Sequence, residues 1–304
     1  MTVGSTPGEL ATYLETHKAQ VDAALERAVA NLIDDLSAEV REATSHGVTT
    51  GGKRLRPVLC VSAYEACGGR IAPATYDLAA SLELIHAYSL MHDDLPCMDD
   101  ADLRRGRPTT HRDLGEDATM RAGAALIPAA ALQALGACRA LGCDDGRAVA
   151  VTRALLEAAG AGGMVGGQWL DLLGEGQALD ADELDELHRR KTGALLEASL
   201  LMGGLAAGAP SRVQACLREY GAAIGLAFQI ADDILDATQS AETLGKNPSD
   251  AALGKSTYVA LYGLEEARER AEMEVDRALE ALDRAELRAP MLRALARYVI
   301  DRKK

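Results

Sequence analysis

The stretch from Asp77 to His92, DLAASLELIHAYSLMH, constrains the fold more than any other part of the chain. Leu78, Leu82, Ile85 and Ser89 recur at the helical period, and Ala79, Leu84, Tyr88 and Met91 widen that stripe until little polar face is left. A helix of this kind has to be enclosed by others, so it is expected at the centre of an all-α bundle. The rest of the chain agrees, because apolar residues recur at three- and four-residue spacing and not in alternation. Further helices are expected over Glu9–Glu42, Leu55–Cys67, Asp117–Leu141, Gly146–Gly162, Ala181–Gly203, Pro210–Asp236 and Ser256–Asp283, with the tail from Arg284 to Lys304 as one more. Breaks fall at glycine pairs and clusters such as Gly51-Gly52, Gly68-Gly69 and Gly142 to Gly146. No Ser/Pro-rich linker divides the sequence, and residues 1–304 are expected to form a single domain.

Charge and aromatic content narrow the function. With 32 Lys+Arg against 46 Asp+Glu the formal net charge is −14, and the chain has one Trp, one Phe and eight Tyr. Nucleic-acid recognition is excluded on this ground, since it needs a basic surface for the phosphates and aromatic rings for the bases. The N-terminal residues lack the charged and apolar segments of a signal peptide. The most apolar stretches, Ala122–Cys138 and Ala198–Ala209, fall short of a bilayer span, and Pro128 interrupts the first. Neither export nor stable membrane insertion is expected. Six cysteines without a CxxC pair read as reduced thiols, and the expected location is the cytoplasm.

Two acidic clusters stand against strongly apolar sequence. The first is Asp93-Asp94-Leu-Pro-Cys-Met-Asp99-Asp100-Ala-Asp102, at the end of the central helix; Pro96 disfavours helix before it, so a loop or bulge is expected there. The second is Asp232-Asp233-Ile-Leu-Asp236. Four residues separate Asp232 from Asp236, so a helix puts both carboxylates on one face, where each raises the other's pKa unless a cation lies between them. Oxygen ligands from a few carboxylates suit Mg²⁺, which completes its shell with water and substrate phosphate.

Basic residues are concentrated beside these acids, in Gly51-Gly52-Lys53-Arg54-Leu55-Arg56-Pro57, in Leu103-Arg104-Arg105-Gly106-Arg107, and at Lys191-Thr192, Lys246 and Lys255. Guanidinium forks and ammonium groups near glycines hold phosphate oxygens well. An acidic protein arranged in this way fits a small anion bridged by metal better than an extended polyanion. Gly254-Lys255-Ser256 lacks the earlier glycine and the strand of a Walker loop, and the glycines of 160–167 miss a dinucleotide fingerprint at Val165. Neither HExxH nor GxSxG occurs. His86 and His92 lie on the central helix, where His86 is the better candidate for a site residue.

The motifs GGKRLRP (51–57), HAYSLMHDDLPCMDDADLRRGRPTTH (86–111), GGQWLDL (166–172), KTGALL (191–196), FQIADDILD (228–236) and GKSTYVALYGLEEAR (254–268) together closely resemble the trans-isoprenyl diphosphate synthases. The six-residue step from Asp93 to Asp99 is similar to the bacterial branch that makes farnesyl diphosphate. The resemblance implies an all-α bundle around a central cavity, a homodimer, and three Mg²⁺ per site gripping an allylic diphosphate between the two aspartate motifs. It implies Asp93, Asp99, Asp232 and Asp236 as metal residues, with Asp94 and Asp233 in support. Arg104, Lys191, Thr192, Gln229, Lys246 and Lys255 are then expected to hold the allylic diphosphate. Lys53, Arg56, His86 and Arg105 are expected to hold isopentenyl diphosphate.

Ionising an allylic diphosphate needs stabilisation of the leaving anion and no protein nucleophile, which agrees with the absence of a nucleophile motif. The family's chain-length position falls at Tyr88, beside Ser89, and implies farnesyl diphosphate as product. Trp169 stands where the family has a small residue; it either narrows the cavity towards geranyl diphosphate or packs as an indole between helices. Ala124 and Ala101 replace aspartates common in the family. A geranylgeranyl product, a terpene cyclase and a noncatalytic regulatory subunit are the alternatives. The isopentenyl set (Lys53, Arg56, Arg105) argues against the cyclase and the two intact aspartate motifs against the subunit.

Overall fold

The computed structural model describes residues 7–33, 36–238 and 256–301. Its elements are α1 (Pro7–Ile33), α2 (Ala38–Thr49), α3 (Leu55–Ala66), α4 (Pro73–Asp93), the hairpin strands β1 (Leu103–Arg104) and β2 (Arg107–Pro108), α5 (Thr110–Leu114), α6 (Glu116–Ala140), α7 (Asp145–Ala159), α8 (Met164–Gly174), α9 (Ala181–His188), a π-helical turn (Arg189–Gly193), α10 (Ala194–Ala206), α11 (Ser211–Thr238), α12 (Tyr258–Tyr262), α13 (Leu264–Arg284) and α14 (Pro290–Asp301). The all-α expectation is met, and the two strands form only a two-stranded antiparallel hairpin.

Helix α4 is central, as its all-round apolar sequence requires. Leu78, Leu82, Leu84, Ile85, Tyr88 and Met91 are all buried, and α1, α2, α3, α6 and α10 pack around it. A second part of the core joins α3 and α10 to α11, α13 and α14 through Leu59, Leu200, Tyr220, Ile224, Leu282 and Leu295. Helix α11 belongs both to the packing of the core and to the walls of the site described below.

Two sequence expectations need correction, and two elements were not foreseen. The run Glu9–Glu42 is two helices, with Ser37 in extended backbone ahead of α2. The run Ser256–Asp283 is broken at Gly263, whose φ of 79° no continuing helix accommodates. Helix α8 was unforeseen, because Gly166 and Gly167 hide its period; a Cβ on Gly167 would collide with the backbone nitrogen of Lys191, so packing selects the glycine. The basic run Leu103–Arg107 forms the hairpin β1–β2, closed by Arg105 and Gly106 with φ of 56° and 74°, the left-handed pair of a type I′ turn.

By length and composition alone, Glu116–Ala140 and the stretch 145–174 would suffice to cross a bilayer. The first packs along α4, and the second is two helices, α7 and α8, parted by the turn at Gly160–Gly163. All six cysteines are free.

Close helix contact in the core depends on glycine. A Cβ on Gly203 of α10 would strike the carbonyl oxygen of Cys60 on α3, whereas one on Gly136 of α6 would meet nothing within 4 Å. Gly203→Ala is therefore expected to destabilise the fold by about 1–3 kcal/mol, and Gly136→Ala to stabilise it by about 0.5–1 kcal/mol. Thermal unfolding of both variants checks this; equal effects would contradict the packing.

Candidate active site

The first acidic cluster is built by a closed loop at the end of α4. Pro96 stops the helix, and the chain turns back so that Asp99 N–H donates to Asp93 C=O at 2.9 Å and Asp100 N–H to Leu95 C=O at 3.1 Å. That ring brings Asp93 and Asp99 together although six residues separate them. Burial, with Asp99 and Asp94 adding to it, pushes the Asp93 carboxyl up to about 6 against the pull of Lys191 and Arg104. Asp94 is buried and bound by the Arg104 guanidinium, whose Nε donates to Oδ1 at 3.1 Å. Asp100 and Asp102 turn away to Arg112, at 2.9 and 2.7 Å.

The second cluster lies on α11. Asp232 and Asp236 share a face as their spacing requires, and both line a recess of about 140 Å³ with Lys191, Thr192, Gln229, Asp171 and His188. Asp233 is buried, and its Oδ2 accepts from Tyr258 N–H at 2.7 Å, which ties α11 to the start of α12. The π-helical turn places Lys191 and Thr192 at the recess. It fits because glycines face one another: a Cβ on Gly225 of α11 would lie 2.8 Å from Gly193 Cα. Lys191 Nζ donates to Asp171 Oδ2 at 2.6 Å and is also the strongest attractive charge on Asp93, so it links the two clusters.

A separate cationic group lies beside them. His86 on α4 is partly buried, and desolvation, then the guanidiniums of Arg56, Arg105, Arg104 and Arg54, hold its pKa well below the ordinary value. It is therefore neutral at pH 7, and the positive charge here belongs to the arginines. Arg54 is committed to structure: its Nε and Nη1 donate to Asp22 and Glu83, each at 2.7 Å. Arg56 Nε is buried with no hydrogen-bond partner among the described residues. Arg105 donates to Gly51 C=O and rests on Gly52, where a Cβ would come 2.8 Å from its Nη1. Lys53 is exposed at the edge. Buried Glu83 is the carboxylate that moderates this group.

An apolar cavity of about 240 Å³ runs between α4 and α8, with Asp93 at its polar end and Tyr88, Ser89, His92, Met98, Met164 and Trp169 among its walls. Tyr88 is 7% exposed and meets His92 edge-on at 5.3 Å. Trp169 lines the cavity but is 61% exposed. The reading of an indole packed between helices is thus corrected: α8 turns this side chain outward, to the rim.

The sequence therefore named most of these groups, and the structure gathers them in three neighbouring places. Lys246 and Lys255 lie outside the described residues. Asp171, His188, Gln168 and Glu83 were missed. Gln168 and Asp171 carried one signal, a three-residue step that puts both on one face of α8. His188, held by burial at a pKa of about 4, accepts no proton near pH 7, and its Nδ1 lies 3.2 Å from Gln229 Nε2.

Carboxylate oxygens opposed across a mouth, one of them with a raised pKa, are a donor set suited to Mg²⁺. Among the described residues no three acidic, His or Cys side chains close a cage by themselves.

Comparison with known proteins gives a consistent picture. The family pattern described as polyprenyl synthetase matches residues 37–293. The farnesyl diphosphate synthase of Escherichia coli (strain K12) is 43% identical over 297 residues, 96% of this chain and 98% of that one. The apo structure of an FPP/GFPP synthase from Zymomonas mobilis superimposes with a TM-score of 0.81 at 33% identity, covering 96% of this chain and 98% of the other. A geranyltransferase from Helicobacter pylori, solved with magnesium and isoprenyl diphosphate, gives a TM-score of 0.77 at 30% identity over 98% and 97% of the two chains.

The raised Asp93 pKa has a sign that can be tested. The metal-free fold holds this proton up to about pH 6, whereas the unfolded chain releases it near 3.8, so stability falls as pH rises through that window. A cation must displace the proton. Apparent Mg²⁺ affinity is expected to rise about tenfold per pH unit below 6 and to level off above it, with Asp93→Asn flattening the profile. Calorimetric titration from pH 5 to 8 measures this, and a pH-independent affinity in the wild type would contradict it.

Proposed function

The chain belongs to the polyprenyl synthetase family and is a short-chain prenyltransferase; from that premise we propose that it condenses isopentenyl diphosphate with dimethylallyl and then geranyl diphosphate to release farnesyl diphosphate. One observation supports this reading: two separate groups of basic side chains stand beside the carboxylates, around Lys191 and Arg104 and around Arg56 and Arg105. The opposed carboxylates with Lys191, Thr192, Gln229 and Arg104 suit a metal-bound allylic diphosphate. The group of Arg56, Arg105, Lys53 and neutral His86 suits a second, metal-free one. A cyclase acting on a single diphosphate has no use for the second.

In this proposal Asp93, Asp99, Asp232 and Asp236 hold three Mg²⁺, with Asp94 fixing Arg104 and Asp233 fixing the end of α11. Bound there, the metal supplies Lewis-acid neutralisation of the charge that gathers on the leaving diphosphate. Lys191 and Arg104 add fixed positive charge to the same oxygens, and Asp171 holds the Lys191 ammonium in place. The C1–O bond of the allylic substrate parts with its electron pair going to diphosphate. The π-electrons of isopentenyl diphosphate, positioned by Arg56 and Arg105, then form the new C–C bond, and the proton lost passes to the departing diphosphate. The cavity lined by Tyr88 and Met164 keeps water from the cation.

Tyr88 is the proposed floor, with Ser89 beside it and Trp169 at the rim. Its burial behind Asp93 leaves room for a limited prenyl chain. The proposal includes one catalytic domain acting as a homodimer in the cytoplasm. Leu132, Val149 and Leu156 stand exposed on α6 and α7, an apolar surface that a second copy would cover.

Purified protein incubated with Mg²⁺, isopentenyl diphosphate and, separately, dimethylallyl, geranyl or farnesyl diphosphate tests the reading, with products dephosphorylated and sized. Farnesol from the first two is expected, and a cyclic hydrocarbon without isopentenyl carbon would overturn the assignment. Tyr88→Ala is expected to lengthen the product by at least one isoprene unit; unchanged farnesol would remove Tyr88 as the floor.

A further inference from the structure

Gln168 is 7% exposed and lines the apolar cavity, and both its Oε1 and its Nε2 are buried without a hydrogen-bond partner among the described residues. A buried amide in this condition is destabilising. Packing gives no reason for it, because methionine or leucine would complete the same wall. Filling the cavity with substrate does not repair the loss, since a prenyl chain offers neither donor nor acceptor.

A positive charge beside the carbonyl oxygen repairs the acceptor's share of it. In the reaction proposed above, on which this inference rests, heterolysis of the C1–O bond leaves positive charge shared between C1 and C3 of the allylic unit. The cavity's polar end is marked by Asp93, so those carbons lie where the diphosphate site meets the apolar wall. Gln168 lines this same cavity. Asp171, on the same face of α8, is bound to Lys191, and Gly167 presses the helix against the π-helical turn. We propose that Gln168 is a catalytic residue whose amide carbonyl stabilises the allylic cation. Walls of low polarity strengthen that interaction of dipole and charge, and the substrate before ionisation gains little from it, so the effect falls on the transition state.

The test uses full-length Gln168→Met and Gln168→Leu with geranyl and isopentenyl diphosphates. Both are expected to lose about 10- to 100-fold in kcat, with either KM changed less than twofold and with Tm equal to or above that of the wild type, because an unpaired buried amide has been removed. A second readout is the binding of an allylic ammonium analogue of the cation, with inorganic pyrophosphate, against a neutral hydrocarbon analogue of the same shape. Wild type is expected to prefer the ammonium compound, and the variants to lose about tenfold of that preference. Folded variants with unchanged kcat and unchanged preference would overturn the inference, as would a rise in KM at constant kcat. Wild-type protein that forms no prenyl product would instead overturn the functional reading, and this inference with it.

Discussion

Helix α4 has no face that water would stabilise, yet it ends in Asp93 and Asp94. That conflict organises the molecule. Leu78, Leu82 and Ile85 require helices on every side, so the carboxylates at the end of α4 emerge from the middle of the bundle and not from its periphery. Asp93 is consequently desolvated, and its raised pKa is the electrostatic trace of that position. The same enclosure supplies the apolar cavity that begins at Asp93 and is bounded by Tyr88. A charged mouth and a dry interior are thus two ends of one helix, which is the combination needed to generate a carbocation beside its leaving group and then keep water away from it.

The charge distribution is local, not global. A chain with a formal net charge of −14 gathers Arg54, Arg56, Arg104 and Arg105 around one neutral histidine. Structural carboxylates sort these cations: Glu83 and Asp22 immobilise Arg54, and Asp94 immobilises Arg104. Arg56, with its buried Nε unpartnered among the described residues, keeps hydrogen-bonding capacity for an anion. Backbone contact does the corresponding work on the other wall, where Gly167, Gly193 and Gly225 let α8, the π-helical turn and α11 meet closely enough to set Lys191 between Asp171 and Asp93.

What the sequence revealed follows from how each feature is encoded. Helices α4 and α11 carry strong apolar periods, and Asp232 with Asp236 are placed by helical spacing alone. Helix α8 was hidden, because its glycines are chosen by contacts with a segment distant in sequence. The left-handed turn at Arg105 was not legible, since nothing local marks an arginine for positive φ. The loop at Pro96 was foreseen, but its ring of backbone hydrogen bonds was not. Gln168, His188 and Glu83 escaped notice for one reason: their significance lies in the presence or absence of a partner in space. Of the two readings of Trp169, only the indole packed between helices fails, because the helix turns this side chain to the cavity's rim.

The central claim is that the carboxylates of α4 and α11 are halves of a single diphosphate site. Calorimetric binding of inorganic pyrophosphate in Mg²⁺ to the wild type, Asp93→Asn, Asp232→Asn and the double variant tests it most directly. If the halves act together, each single substitution removes most of the metal-dependent affinity and the double variant binds no more weakly than either one. Losses that simply add, or one substitution that leaves binding intact, would contradict it.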